Sequence, residues 1–505
     1  MKDDSHPLLS RRASGVLLHL TSLPGRHGSG DMGQPALHFI DWLAAAGQSI
    51  WQILPLTPPG DGNSPYQSPS AFAGSPWLVD LDDLIACGWL APMADAGFDP
   101  DRCDFERVLP YRMAGLRRAW SGFRDGASDA DRAALLEFGR QHSAWLDDYA
   151  MFMVLHERHG EPWSHWPVPC ARRDASALHA LQRDAHAEIG FWRFVQWRFH
   201  VQWQRLRQHA AARGVLIAGD APIFVAHHCA DVWAHPGQYL LDERGEPSVV
   251  AGVPPDYFSA TGQRWGNPLY CWDAMAHDGY AWWKQRLAHL MTLVDLVRID
   301  HFRGFESYWE IRCESPTAEG GHWRAGPGRE FFRAMEDALG PLPVIAEDLG
   351  LITDAVTKLR RACGFPGMRV MQFAFGDTAG NPYLPHNFEP STVAYTGTHD
   401  NDTSIGWWQQ ASEAERDLAG DYLGPQANQE IHWAMIQSLS QSVARTLMIP
   451  LQDVLGLDGR HRMNTPGQAQ GCWTWRFEWS QVNAAPAARL KALVHAHGRA
   501  WDRPA

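Results

Sequence analysis

The sequence predicts an α/β fold, a (β/α)8 TIM barrel with long, mainly helical subdomains inserted in the βα loops. Eight short apolar runs have the length and composition of buried parallel strands, and helical sequence lies between most of them. The first three elements read β–α–β, which implies a parallel sheet. Three of the runs stay apolar and then turn abruptly charged, as barrel strands do where they emerge at a catalytic rim. With 505 residues the chain exceeds a typical barrel of ~250 residues, and long βα insertions account for the excess. Length alone would suggest two or three domains, but an inserted barrel makes residues 1–505 one unit.

Residues 15–20 (Gly-Val-Leu-Leu-His-Leu) form the first expected strand, followed by a loop and an amphipathic helix over 36–46 that Gly47 ends. The second strand is expected at 50–56, with Pro55 near its end where a lost backbone donor is tolerable. Residues 57–214 then interrupt the rhythm as an inserted, mainly helical subdomain. It opens on a loop rich in Pro, Gly and Ser and continues in helices over 128–140, 143–156 and 191–213. Ser128 is placed to cap the first of these. The last carries Phe191, Trp192, Phe194, Trp197 and Phe199 among arginines, and packing on the sheet explains that pattern better than nucleic acid does.

The third strand, 215–218, leads into Gly219-Asp220, and residues 223–280 form a second inserted segment, expected to be mostly loop. A helix over 280–293 precedes the fourth strand, 296–301. Further strands are expected at 344–346, 369–375, 392–396 and 447–453, with helices at 331–339, 354–361 and 428–446. No internal repeat or low-complexity tract interrupts them.

Lys plus Arg number 44 and Asp plus Glu 57, a net charge of −13, which argues against non-specific binding to nucleic acid or to an anionic membrane. The eight cysteines are scattered with no C-x-x-C pair, as suits free thiols in a reducing compartment. No signal-peptide core and no run of roughly 20 apolar residues is present, so a cytoplasmic location is the expectation. The 25 tryptophans modestly favour a carbohydrate ligand, because an indole face packs on the C–H face of a sugar ring. Three local patterns carry no site. Gly28-Ser-Gly-Asp-Met-Gly33 lies well past its strand and lacks an acidic residue about 20 positions on. His156-Glu-Arg-His159 is one residue short of a zinc-protease motif, and Asp400-Asn-Asp402 has Ile405 and Ala411 where a calcium loop needs Gly and Glu.

The chemistry concentrates at three strand ends. Asp300, Glu347 and Asp400 follow the fourth, fifth and seventh strands, so closure in order aims all three into one bowl. Crowded carboxylates cannot all ionise cheaply, and at least one pKa is expected to rise. That combination suits glycosidic-bond chemistry, which needs one protonated acid and one ionised group facing the anomeric carbon. Arg298, two residues before Asp300, shares its strand face.

These segments resemble the 4-α-glucanotransferase (amylomaltase, disproportionating enzyme) family, relatives of the α-amylase superfamily. The matching stretches are Val297-Arg-Ile-Asp-His-Phe-Arg-Gly304, Ile345-Ala-Glu-Asp-Leu-Gly350, Tyr395-Thr-Gly-Thr-His-Asp-Asn401 and Gly219-Asp-Ala-Pro-Ile-Phe-Val-Ala-His227. Ser64-Pro-Tyr-Gln67, Gly252-Val-Pro-Pro-Asp-Tyr-Phe-Ser259, Arg264-Trp-Gly-Asn-Pro268 and Arg462-Met-Asn-Thr-Pro-Gly467 extend the match over most of the chain. The resemblance implies a retaining transferase of α-1,4-glucan segments between malto-oligosaccharides, working without cofactor or metal. It assigns Asp300 as nucleophile and Glu347 as acid/base, about 5–5.5 Å apart. Asp400 and His399 would hold ring hydroxyls, and Arg298 would keep Asp300 anionic. Tyr66 would lie by the cleaved bond, Tyr257, Phe258 and Trp265 on the acceptor side, and Asp220 and Asn464 would be further sugar contacts. For Asp220 a turn-capping role and for Trp265 plain loop packing are the structural alternatives.

Cys472 and His228-Cys229 stand where the resemblance leads one to expect Asn and Asp-Ser, which bears on outer sugar contacts only. Two rival functions remain open at this point. An α-glucan hydrolase would use the same three carboxylates. A non-catalytic glucan-binding protein would have no need of them.

Overall fold

The computed structural model describes residues 6–255, 259–468, 470–482 and 484–500. Eight parallel strands close into a barrel: β1 (Ala13–Leu17), β2 (Ile50–Gln52), β3 (Leu216–Pro222), β4 (Leu296–Asp300), β5 (Val344–Ala346), β6 (Gly367–Val370), β7 (Thr392–Tyr395) and β8 (Thr446–Pro450). Each neighbours its predecessor in sequence, and β1 pairs with β8 to seal the ring.

Alternate residues point inward and fill the barrel. Ala13, Ile50, Leu216, Ala218, Leu296, Ile345, Met368, Val370, Val393, Tyr395 and Met448 form one buried cluster, with Leu9 packed among them. Gly15 is obligatory in this layer, since a Cβ there would sit 2.7 Å from Ile50 Cβ and 2.9 Å from Met448 Sδ. Above the apolar layer the interior turns polar. The Tyr395 hydroxyl donates to Gln52 Oε1 at 2.9 Å, and the register pairs Asp220 with Arg298 across β3 and β4. The inward period of two therefore carries Leu296, Arg298 and Asp300 up one column to the C-terminal rim.

Several boundaries differ from expectation for physical reasons. β2 stops at Gln52, before Pro55. β6 ends at Val370, and Met371–Phe373 forms a 3-10 turn. The final strand ends at Pro450, which leads straight into the helix Leu451–Leu455. β3 runs on to Pro222, so Asp220 lies within the strand rather than beyond it.

Residues between β2 and β3 are largely helical. The helix His186–Ala212 buries Phe191, Trp192, Phe194, Trp197 and Phe199, and Trp203 Nε1 donates to the Leu293 carbonyl at 2.8 Å. The aromatic stripe is thus core. Ser128 caps Asp129–Gln141 by accepting from the Asp131 N–H.

The segment expected to be loop between β3 and β4 contains two strands. Val249–Val253 and Gln263–Pro268 join Ser307–Arg312 and His322–Ala325 in an antiparallel sheet, ordered Gln263–Pro268, Val249–Val253, Ser307–Arg312, His322–Ala325. The first pair and the second pair come from different insertions, a partnership that no local pattern announces. They bring the insertion after β3 against the chain leaving β4.

Candidate active site

The polar groups at the C-terminal rim form one continuous chain of contacts. Arg298 stands at its centre. Nη1 donates to Asp220 Oδ2 at 2.6 Å and Nη2 to Asp300 Oδ1 at 2.8 Å. Burial alone would pull the guanidinium's pKa down, but Asp220 and Asp300 outweigh it and raise it further. The Asp220 side chain has no exposed surface, whereas that of Asp300 is 32% exposed and open to the bowl. Asp220 therefore acts as an anchor, and its Oδ2 also accepts from the Tyr66 hydroxyl at 2.9 Å. Burial pushes the Asp220 pKa up against the opposing pull of Arg298.

Glu347 is held by two backbone donors. His301 N–H reaches Oε2 at 2.7 Å and Leu349 N–H reaches Oε1 at 2.8 Å. The chain leaves β4 through His301 at φ 52°, a left-handed conformation uncommon for a non-glycine residue. The ends of β4 and β5 are also stitched by Phe302 N–H on the Glu347 carbonyl and Glu347 N–H on the Ile299 carbonyl. Burial first, and the negative charge of Asp300 second, push the Glu347 carboxyl up to about 7, despite Arg298 and the two N–H donors. The expectation that a crowded carboxyl rises is met on this residue.

Its sequence neighbour Asp348 faces the other way. Met368 N–H donates to Asp348 Oδ1 at 2.7 Å, and Arg360 and Arg369 form ion pairs with the carboxylate at 3.1 and 3.3 Å. It is buried between β5, β6 and the helix Asp354–Ala362 that joins them, away from the bowl.

Asp400 lies at the far end of the contact chain. Asn464 Nδ2 donates to Oδ1 at 2.6 Å, and His399 Nε2 lies 3.4 Å from the same atom. Arg462 fixes this corner by donating to the carbonyls of Asp400 and Asn464, both at 2.8 Å. The Tyr66 ring stacks on His399 with centroids 5.3 Å apart at 12°, and Trp473 lies against both rings at 6.0 and 5.8 Å. Trp265 meets His301 edge-on at 4.8 Å.

The structure thus brings together Asp220, Arg298, Asp300, Glu347, Tyr66, His399, Asp400 and Asn464, with Trp265 at the margin. Tyr257 and Phe258 lie outside the described residues. Sequence reasoning missed the positions of His301, Arg462 and Trp473. All three sit in or beside the quoted motifs, but their geometry depends on turns that periodicity does not encode.

The three unexpected residues have local roles. Cys229 accepts from Val232 N–H through Sγ at 3.4 Å and caps Ala230–Ala234, the task a serine there would perform. Cys472 Sγ accepts from Thr465 N–H at 3.3 Å. His228 accepts from Trp163 N–H through Nδ1 at 2.9 Å, so in the neutral ring the proton sits on Nε2, 3.0 Å from His156 Nδ1. Glu161 completes a triad of possible metal ligands with these two histidines, yet that tautomer makes the ring pair a hydrogen bond rather than a metal cradle.

Comparison with known proteins agrees with this geometry. The family model described as 4-alpha-glucanotransferase matches residues 18–482. A 4-alpha-glucanotransferase of Thermus thermophilus is 46% identical over 97% of this chain and 99% of its own length. The chloroplastic/amyloplastic 4-alpha-glucanotransferase of Solanum tuberosum is 41% identical over 97% of this chain and 87% of its own. Among solved structures, amylomaltase from Streptococcus agalactiae in complex with acarbose superposes with a TM-score of 0.94 at 36% identity, covering 97% of this chain and 100% of that one. A closed eight-stranded barrel, a carboxylate bowl at its rim and a match over nearly the whole length place the chain in the 4-alpha-glucanotransferase family.

Proposed function

We propose that the protein is a retaining 4-α-glucanotransferase that moves α-1,4-glucan segments between malto-oligosaccharides through a covalent glucosyl-enzyme. The observation that carries this reading is the contrast between two neighbouring carboxyls. Asp300 is charge-paired with Arg298 and open to the bowl, while Glu347 is held near neutrality. Such a split assigns the anion to attack and the acid to proton donation.

Asp300 attacks the anomeric carbon of the donor while Glu347 delivers its proton to the departing glycosidic oxygen. The glycosidic C–O bond breaks, and a C–O bond to Asp300 forms. Glu347, now a carboxylate, takes the proton from the 4-hydroxyl of an incoming glucan, which displaces Asp300 and restores the original configuration. This chemistry asks for a carboxyl separation of about 5–5.5 Å. Asp400, oriented by Asn464 and His399, accepts hydrogen bonds from ring hydroxyls of the transferred glucose. Tyr66 packs beside the bond being cleaved, and Asp220 acts through Arg298 and Tyr66. On the acceptor side, Trp265, with Tyr257 and Phe258, gives sugar faces a surface that water cannot use, favouring transfer over hydrolysis. The segments 57–214 and 223–280 are insertions that wall the bowl of one barrel. Eight free thiols fit a reducing cytoplasm, and no helix among the described residues is long and apolar enough to cross a membrane.

Incubation with maltotriose, following product sizes and total reducing ends, tests this directly. Longer oligosaccharides plus glucose at constant reducing ends are expected. Rising reducing ends with only shorter products would make the protein a hydrolase, and no change with any glucan would make it a binding protein.

A further inference from the structure

His301 has no role in the chemistry above, yet it touches both halves of the site. Its N–H holds Glu347 Oε2 at 2.7 Å. Its ring meets Trp265, on the strand Gln263–Pro268, at 88° with centroids 4.8 Å apart. On another side Gly304 leaves it room, since a Cβ there would come within 3.3 Å of the imidazole Cδ2. The Nε2 atom is buried with no hydrogen-bond partner among the described residues. Burial, reinforced by Arg303, lowers its pKa to about 3, which makes it a neutral wedge and no proton carrier.

We infer that His301 is a positioning residue that ties the acceptor-side tryptophan, Trp265, to the carboxyl of Glu347. The inference rests on Glu347 being the acid/base. The physical link is short. The imidazole and the N–H belong to one residue held in a left-handed turn at φ 52°. Holding the ring against Trp265 restricts the rotations by which that turn could relax. An acceptor sugar stacked on Trp265 presses the same ring from outside. Occupancy of the acceptor side thereby firms the N–H···Oε2 contact when Glu347 must act as base. Without the ring the contact loosens, the anion loses a donor and its pKa climbs.

The test compares His301→Gly, Trp265→Ala and the double variant in transfer from maltotriose to glucose, from about pH 5 to about pH 9. Glycine keeps the left-handed turn and removes only the ring. For each single variant we expect kcat to fall about ten- to hundredfold, as for a misplaced catalytic group. The alkaline limb of the His301→Gly profile should move upward. The double variant should lose no more than the worse single one, because both changes break the same tie. Losses that multiply in the double variant, or an alkaline limb that stays put in His301→Gly, would overturn the inference. Matching thermal melts among the variants separate these outcomes from misfolding. Glu347→Gln provides the control for the underlying assignment. It should be inert toward glucans yet still form a glycosyl-enzyme from α-maltosyl fluoride, whose leaving group needs no proton. Full activity of Glu347→Gln toward glucans would remove the acid/base assignment itself, whatever the His301 variants do.

Discussion

Glu347 and Asp348 adjoin in sequence, are both acidic and both have pKa values raised by burial, yet they do opposite things. Glu347 points into the bowl, where its hydrogen-bond partners are neutral N–H donors and a neighbouring carboxylate repels it, and its pKa climbs to about 7. Asp348 points out of the barrel between Arg360, Arg369 and the Met368 N–H, a set that satisfies it as an anion although burial pulls its pKa upward. The difference teaches that a buried carboxyl becomes chemical when its surroundings leave it short of positive charge, and structural when they supply it. Access is the second condition: Asp453 also has only neutral donors, the Thr396 and Ser404 hydroxyls and the Ser404 N–H, but it is fully buried and closed off from the bowl.

The largest effects should break this comparison at the bowl. Asp300→Asn is expected to lower kcat at least ~10⁴-fold while leaving glucan affinity measurable, because it removes the nucleophile but neither Arg298 nor the sugar-holding corner. Titration calorimetry with maltoheptaose alongside a transfer assay checks both halves, and retained turnover would strip Asp300 of its role. Asp348→Ala should do the reverse. Stranding Arg360 and Arg369 in the interior is expected to cost ~3–5 kcal/mol of stability, with near-normal activity per folded molecule. Denaturant melts paired with active-site titration would show it, and a stable but inactive variant would erase the distinction.

The pH profile sharpens the same contrast. Glu347 must be protonated to release the leaving sugar, so kcat/KM should fall as pH rises through about 7. The limb should vanish with a maltosyl fluoride donor that needs no general acid, and a limb unchanged by donor would assign it to another group. A smaller loss, ~10- to 100-fold in kcat, is expected for Asn464→Ala, which leaves the Asp400 carboxylate present but unaimed. Kinetics of that variant with maltotriose check it, and an unchanged kcat would leave the Asn464 contact without a catalytic consequence. Cys229→Ser should be the least consequential. A hydroxyl replaces the thiol as cap of Ala230–Ala234, so thermal melts should show a change of less than ~0.5 kcal/mol, and activity should not move.

Much of this architecture is legible in the amino-acid sequence. Apolar runs ending in charge identify the barrel strands, and the two-residue period puts Arg298 beside Asp300, where the ion pair stands at 2.8 Å. Both readings use properties a strand has by itself, its alternation and the abrupt change at its end. Strand limits are less legible, because the end of β6 and the helix after Pro450 depend on what closes around them. The pairing of Val249–Val253 with Ser307–Arg312 is invisible in the sequence, since a short strand inside a Pro- and Gly-rich stretch has no partner until the chain folds back.

The chain by itself therefore determined which residues are available at the rim, for periodicity and residue chemistry are local. Only the tertiary structure decided their state. Which carboxyl is short of positive charge, and that the His301 N–H and the Trp265 ring meet on one residue, both depend on groups distant in sequence. Burial and Coulomb interactions act through space, and those distances exist only once the barrel has closed.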